Sequence, residues 1–272
     1  MQNALSIDVE EWFCANNFSA VIPRGRWREC RSRVEGDLRF VLSLLKKRRT
    51  KATFFVLGWV AEHFPGAVSE IAREGHELAT HGYSHQMVTK LTPEEFEADL
   101  SRSLEILRGL SREPVIGFRA PSFTIVKNTL WALPILERHG IRYDSSIFPV
   151  AWHPDYGIAD APRAPYAITS GLWEFPPTVW RCLSTNIPVA GGAYFRLLPY
   201  AVTRYGLRQQ VSAGHPLMCY LHTWEFDAHQ PRVRLPWGKR LRHYTNLART
   251  AARLRCLLRD FRFTTAREAL QL

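Results

Sequence analysis

This sequence predicts an α/β fold built on a largely parallel sheet, and three observations predict it. Short runs of apolar, β-branched and aromatic residues alternate with longer runs in which apolar residues recur at helical spacing. The strongest polar motifs fall where the strand-like runs end, as they do in folds whose strands all point the same way. The length, 272 residues, suits one large α/β domain. We therefore expect a single domain over residues 1–272, with a basic helical C-terminal segment over about residues 231–272.

The elements follow in order. Residues 4–9, ALSIDV, read as a buried strand that runs into acids. Residues 16–33 are irregular and basic. Residues 35–48 read as a helix: Leu38, Val41, Leu42 and Leu45 lie on one face, and KKRR closes it, since cations favour a helix C-terminus. Residues 52–58, ATFFVLG, are a second strand. A helix is expected over residues 60–73, a third strand over 76–80 and a helix from Thr92. There Thr92 can cap, Pro93 suits the first turn and Glu95 completes a capping box. Phe96, Leu100, Leu104 and Leu107 form its apolar stripe. Further strands are expected at residues 115–119, 141–144, 173–177 and 216–222. Further helices are expected at 128–139, 194–213 and 240–260.

Composition narrows the class. The chain is 46% hydrophobic, enough for a sizeable core, and 22% charged. Its 36 Lys+Arg exceed its 25 Asp+Glu, a formal +11. Residues 231–272 hold eleven Arg/Lys against two Asp/Glu, so this segment carries +9 of that charge. Such a segment is usually a solvated face, but it could meet a membrane surface, a lipid-linked substrate or an anionic polymer. Five cysteines with no CxxC pairing point to a reducing compartment. No run approaches the ~18 apolar residues of a membrane span, and the N-terminus has neither the charged nor the long apolar region of a signal peptide. The expected location is the cytoplasm, at or near the periphery of the inner membrane.

The chemistry centres on residues 76–85, HELATHGYSH. His81 and His85 are four apart, which on one helical turn, or a loop wound like one, turns both imidazoles to one side. Neutral imidazole is the commonest protein ligand for zinc-like metals. A catalytic site usually needs a third ligand, often a carboxylate, and an open position. Other strand ends supply polar candidates: Asp8 and Glu10 after the first strand, then Arg119, Asp144, Glu174 and His222. His76 reads as a strand residue pointing away, and Cys14 as an inert buried thiol. Trp12, Trp152, Trp173, Trp180 and Trp224 read as core or cleft walls.

With these residues in order, the chain resembles the polysaccharide deacetylase family over residues 5–227. SIDVEEWF, ATFFVLGW, HELATHGYSHQ, GFRAPSFT, YDSSIFP, GGAYFRLLPY and YLHTWEFD carry the resemblance, and they are nearest to a subgroup found with bacterial exopolysaccharide and exosortase-type loci. The resemblance implies a distorted (β/α) barrel of about seven strands. It implies hydrolysis of N-acetyl groups from amino sugars of an exopolysaccharide, a cell-wall glycan or a lipid-linked precursor, with water activated by a divalent metal, zinc first, then Co2+, Ni2+ or Fe2+. It assigns Asp8 as catalytic base, His222 as general acid, Arg119 as the residue that orients the base, and His81 and His85 as metal ligands. The family's usual adjacent aspartates are here Asp8 and Glu10, with Val9 between. That makes Glu10 the expected third ligand, with Glu11 or water as alternatives. Gly82 stands where Ser or Thr is usual, so the loop hydrogen bond made there is expected to be absent or moved. Pro121, Ser122, Phe123, Asp144 and Trp224 are expected around the substrate and its oxyanion. The implied partner is an N-acetylated glycan, and no nucleic acid is expected. The rivals are a hydrolase of a small cyclic amide and a non-catalytic glycan-binding protein.

Overall fold

The computed structural model describes every residue except Met1 and Trp152, so the expectation for Trp152 lies outside the described residues. Its strands are β1 (Ala4–Val9), β2 (Thr53–Val56), β3 (Glu77–Thr80), β4 (Gly117–Phe118), β5 (Tyr143–Asp144), β6 (Tyr166–Ala167), β7 (Trp173–Glu174), β8 (Val179–Cys182), β9 (Thr185–Pro188) and β10 (Met218–His222). Eight form one sheet in the order β10-β1-β2-β3-β4-β5-β7-β6. The neighbours from β10 to β7 pair parallel, and β6 alone runs antiparallel, on the edge. The sheet curls into a half-barrel. Beyond β7, Thr178 exchanges hydrogen bonds with Met218, so the chain returns to β10 without a further paired strand.

The helices are α1 (Val34–Lys47), α2 (Gly58–His63), α3 (Pro65–Arg73), α4 (Pro93–Arg108), α5 (Ala132–Arg138), α6 (Gly192–Leu197), α7 (Tyr200–Ser212), α8 (Trp237–Tyr244), α9 (Thr250–Asp260) and α10 (Ala266–Leu270). The capping box at Thr92 and Glu95 forms in full at the start of α4. Three helices expected as single runs are each broken. Pro65 separates α2 from α3, because the residue before a proline is pushed out of the helical region, and Phe64 sits at φ −132° and ψ 52°. Pro199 separates α6 from α7 in the same way. Asn246, at φ 59°, ends the run that begins as α8. The β8–β9 hairpin, strand β6 and α10 carry no strong periodicity and are seen only in the structure. No helix among the described residues is long and apolar enough to cross a membrane.

Strand periodicity sets what faces inward. Along β1, Leu5, Ile7 and Val9 join the large core beneath the helices, while Ala4 packs into a second cluster with Phe55, Tyr143 and Met218 on the inner side of the curl. Ala266, Ala269 and Leu270 of α10 close that inner cluster at one end. Ser6 and Asp8 share the parity of Ala4, and His222 shares that of Met218. The polar ends of β1 and β10 therefore meet inside the other mouth of the curl.

Candidate active site

β1 and β10 are parallel neighbours with Asp8 directly opposite His222. This register brings His222 Nε2 to 3.7 Å from Asp8 Oδ2 and 3.7 Å from Glu10 Oε1. The third strand ends at Thr80, and the HGYSH turn then carries His81 and His85 over the same mouth. These residues line one cavity of about 120 Å³.

The turn is not helical. Gly82 adopts φ 70°, and a Cβ there would lie 2.8 Å from Asp99 Oδ2. Asp99 of α4 accepts hydrogen bonds from the backbone N–H groups of Tyr83 (2.7 Å) and Ser84 (3.1 Å). The loop's backbone is thus tied to a neighbouring helix. His85 holds a left-handed backbone, φ 54°, which aims its ring back toward His81.

Glu10, His81 and His85 are all buried, and their ligand atoms lie within 4.8 Å of one another, a grouping that could hold a metal ion. His81 Nδ1 faces the carbonyl of Arg119 at 2.8 Å, so it donates there and leaves Nε2 with a free lone pair. Burial pushes the His81 imidazole down to about 4, so it is neutral at physiological pH. Glu10 Oε1 accepts from Trp224 Nε1 at 2.9 Å. Its other oxygen, Oε2, is buried with no hydrogen-bond donor among the described residues, although His85 Nε2 is only 2.6 Å away. A buried carboxylate oxygen and an imidazole nitrogen that converge without hydrogen-bond geometry are what a shared cation satisfies. The residues therefore fit a divalent metal. Burial works to raise the Glu10 carboxyl, but His85, His222 and His81 together hold it well below the usual range, so it is ionised. Glu11 turns the other way. Its carboxylate accepts from Ser32 Oγ and from the N–H groups of Arg33 and Val34, capping the start of α1.

Arg119 is fully buried behind the cavity. Its Nη1 donates to Asp8 Oδ1 at 2.6 Å and to Ser6 Oγ at 2.8 Å, and Ser145 takes Nε and Nη2. This fixes one oxygen of Asp8 and leaves Oδ2 facing the cavity.

His222 is oriented by a residue the sequence reading passed over. Glu225 Oε2 accepts from the backbone N–H of His222 at 2.9 Å and meets its Nδ1 at 3.2 Å. Burial alone would lower the His222 imidazole, but Glu225, Glu10 and Asp8 bring it up to about 9. Glu225 is itself held at about 2, against burial, by Arg196 and His222. Arg196 Nε donates to Glu225 Oε1 at 2.7 Å. The available signals were the HxxE spacing at the end of the last strand and the arginine inside GGAYFRLLPY. Neither residue stands at a strand end in sequence, so the rule that found Asp8 and His222 did not reach them.

Of the remaining expected residues, Ser122 and Phe123 line the cavity, in a turn where both adopt left-handed backbone. Pro121 is buried one step back in that turn. Trp224 lines the cavity, stacks between His222 and His243, and binds Glu10. Asp144 is not brought to the cavity. It is fully buried beside Glu174, bonded to Ser146, because strands β5 and β7 pair with these two acids in register. His76 binds the N–H of Ala52 at the start of β2, away from the site. Cys14 is buried, and burial raises its thiol well above the usual range.

Fold and site together define an α/β protein with a buried Glu/His/His group, able to hold a metal, at the mouth of a curled parallel sheet. Residues 36–143 match the model of the family described as polysaccharide deacetylase, and residues 145–271 match one described as a domain of unknown function, DUF3473. Residues 36–143 thus hold a region similar to polysaccharide deacetylases. It is 40% identical over 120 residues to a peptidoglycan-N-acetylglucosamine deacetylase of Bacillus cereus, covering 43% of this chain and 42% of the relative. It is 33% identical over 140 residues to a peptidoglycan deacetylase of Helicobacter pylori, covering 50% and 46%. The chain thus spans less than half the length of these curated relatives. Among solved structures, a candidate polysaccharide deacetylase from Mycobacterium smegmatis matches with TM-score 0.62 and 20% identity, covering 99% of this chain and 88% of that one. A CE4 family pseudoenzyme from Bacillus anthracis matches with TM-score 0.55 and 14% identity, covering 99% and 65%. At these identities the likeness is one of fold, so activity has to be argued from the site.

Proposed function

We propose that this protein is a metal-dependent hydrolase that removes N-acetyl groups from amino sugars of a bacterial glycan, either an exopolysaccharide, a cell-wall glycan or its lipid-linked precursor. One observation carries the reading. A metal-type triad (Glu10, His81, His85), a carboxylate with one free oxygen (Asp8) and a cationic histidine (His222) share one cavity. A binding protein has no need of that combination.

Amide hydrolysis needs a proton removed from water and a proton delivered to the leaving amine. Glu10, His81 and His85 would hold a divalent cation, which would supply Lewis-acid chemistry for the amide carbonyl and the water. Asp8 takes the water's proton on Oδ2, while Arg119 keeps Oδ1 occupied. His222, protonated at neutral pH, donates from Nε2 to the amine nitrogen. Glu225 on Nδ1 keeps that ring turned toward the cavity. The turn at Ser122 and Phe123 lines the cavity; the Phe123 N–H donates to the Ala120 carbonyl at 2.9 Å, which makes the Ser122 N–H the turn's candidate donor to the amide carbonyl oxygen. The pairing with an N-acetyl sugar is supported by the peptidoglycan deacetylases to which the chain is similar.

The test is product analysis. Incubating the protein with N-acetylglucosamine oligomers, peptidoglycan fragments and small cyclic amides should release acetate, and free amines on sugars, from the glycans alone. Ring opening of a cyclic amide without acetate would replace this reading.

A further inference from the structure

The cavity carries a cation that the hydrolysis does not use. Arg242, in the last turn of α8, lines it. Among the described residues the guanidinium enters no ion pair. Its Nη1 lies 2.9 Å from His153 Nε2. Burial and Arg242 push the His153 imidazole down to about 4, so this partner is neutral. Asp155 shares the cavity wall but lies beyond ion-pair distance of Arg242.

Arg242 is also held in place by the catalytic apparatus. Buried Arg196 donates Nη2 to the Arg242 carbonyl at 2.9 Å and Nη1 to the carbonyl of His243 at 3.0 Å. The same guanidinium holds Glu225, the partner of His222. The backbone of Arg242 is therefore fixed relative to the acid. Leading up to it, Arg232, Arg234, Lys239 and Arg240 are exposed and likewise enter no ion pair among the described residues. Trp237, 79% exposed, offers a flat face on the same helix.

A guanidinium in a concave site without a carboxylate partner attracts an oxyanion. It binds carboxylate or phosphate through paired N–H donors, with the cavity walls strengthening the field. We propose that Arg242 is a specificity-determining residue that binds an anionic group on the glycan, near the sugar whose amide is cut, with the cationic run from Arg232 to Arg240 following the chain outward. This rests on the deacetylase reading and adds the substrate class: an acidic N-acetylated glycan, carrying either a carboxylate or a phosphate.

The experiment compares three oligosaccharides matched in length: neutral N-acetylglucosamine, one with interspersed uronic acids and one with phosphate substituents. Binding to the full chain is measured by calorimetry at low salt, and acetate release in parallel. An affinity for one acidic oligomer on the order of tenfold above the neutral one is expected. The preferred arm identifies the anion. The preference should collapse in Arg242→Gln, persist in part in Arg242→Lys, and appear in KM more than in kcat. Equal binding of neutral and acidic oligomers, or a preference that survives Arg242→Gln, overturns the assignment. So does capture of anionic phospholipid vesicles with no discrimination among the oligomers, which would make the cationic run a membrane contact. Because binding is read directly, absence of acetate from all three would count against the deacetylase reading and leave this one decided by calorimetry.

Discussion

Arg196 Nε lies 2.7 Å from Glu225 Oε1, and both side chains are sealed from solvent, 1% and 0% exposed. The pair sits behind His222 and holds it through Glu225 Oε2, which receives the His222 backbone N–H and faces Nδ1. This link orients His222, the proposed acid, as a carboxylate behind an imidazole does in other hydrolytic sites.

Glu225→Gln would set an amide N–H2 against the donors of His222 and misalign the ring. We expect kcat to fall about 10–10²-fold, less than the 10²–10⁴ lost on removing an acid or base outright. Metal content, measured by mass spectrometry, should stay at wild-type level. Loss of the metal would show instead that Glu225 supports the ligand set.

His222→Ala should keep the metal and lower kcat by about 10²–10⁴-fold. A turnover close to wild type would remove His222 from the mechanism.

Asp8 and Glu10 sit in different surroundings, which is what their proposed base and ligand roles rest on. Arg119 occupies one oxygen of Asp8, while Glu10 Oε2 is left without a donor among the described residues beside His85. Asp8→Asn should bind metal nearly normally and be almost inactive. Glu10→Gln should weaken metal binding first, with added metal restoring part of the activity. Reversed behaviour would exchange the two assignments. Glu11 is not expected to compensate, because its carboxylate is committed to the start of α1.

Burial raises Asp144 to about 6 and raises Glu174 well above the usual carboxylate range; the neighbouring acid adds to the rise of Glu174. Acids with raised pKa in the folded state bind more protons than the unfolded chain. Stability from this pair is therefore full below about pH 4 and is lost as pH climbs through 6 and beyond. Glu174→Gln removes one of the two charges. Its Tm should exceed that of the wild type by a few degrees at pH 8, with the gap closing toward pH 4.5. A gap independent of pH would mean that burial does not raise these two acids.

What could be read from the sequence divides along physical lines. Asp8, His81, His85, Arg119 and His222 stand at strand ends, where a two-residue period and a parallel sheet dictate where side chains point. The alternation that exposed β1, β2, β3 and β10 exposed them too. Strands β4 and β5 are only two residues long, shorter than the runs 115–119 and 141–144 that predict them. Arg196, Glu225 and Asp99 support the site from a helix, a turn and another helix. Their roles depend on tertiary contacts that no local pattern encodes. The breaks at Pro65 and Pro199 were written in the sequence, and the apolar periodicity continuing past them masked both. Asp144 shows the opposite error, since a charge at a strand end can be buried against a partner as readily as it can face a cavity.

The central claim is that Glu10, His81 and His85 hold a metal on which deacetylation depends. The most direct measurement is acetate release from N-acetylglucosamine oligomers by the protein as purified, after chelation, and after stepwise return of Zn2+, with bound metal counted at each step. The account predicts activity that vanishes on chelation and returns in proportion to one metal per chain, and a His81→Ala variant that recovers neither metal nor acetate release. Full acetate release from metal-free protein, or a His81→Ala variant with one tightly bound metal and normal turnover, would contradict it.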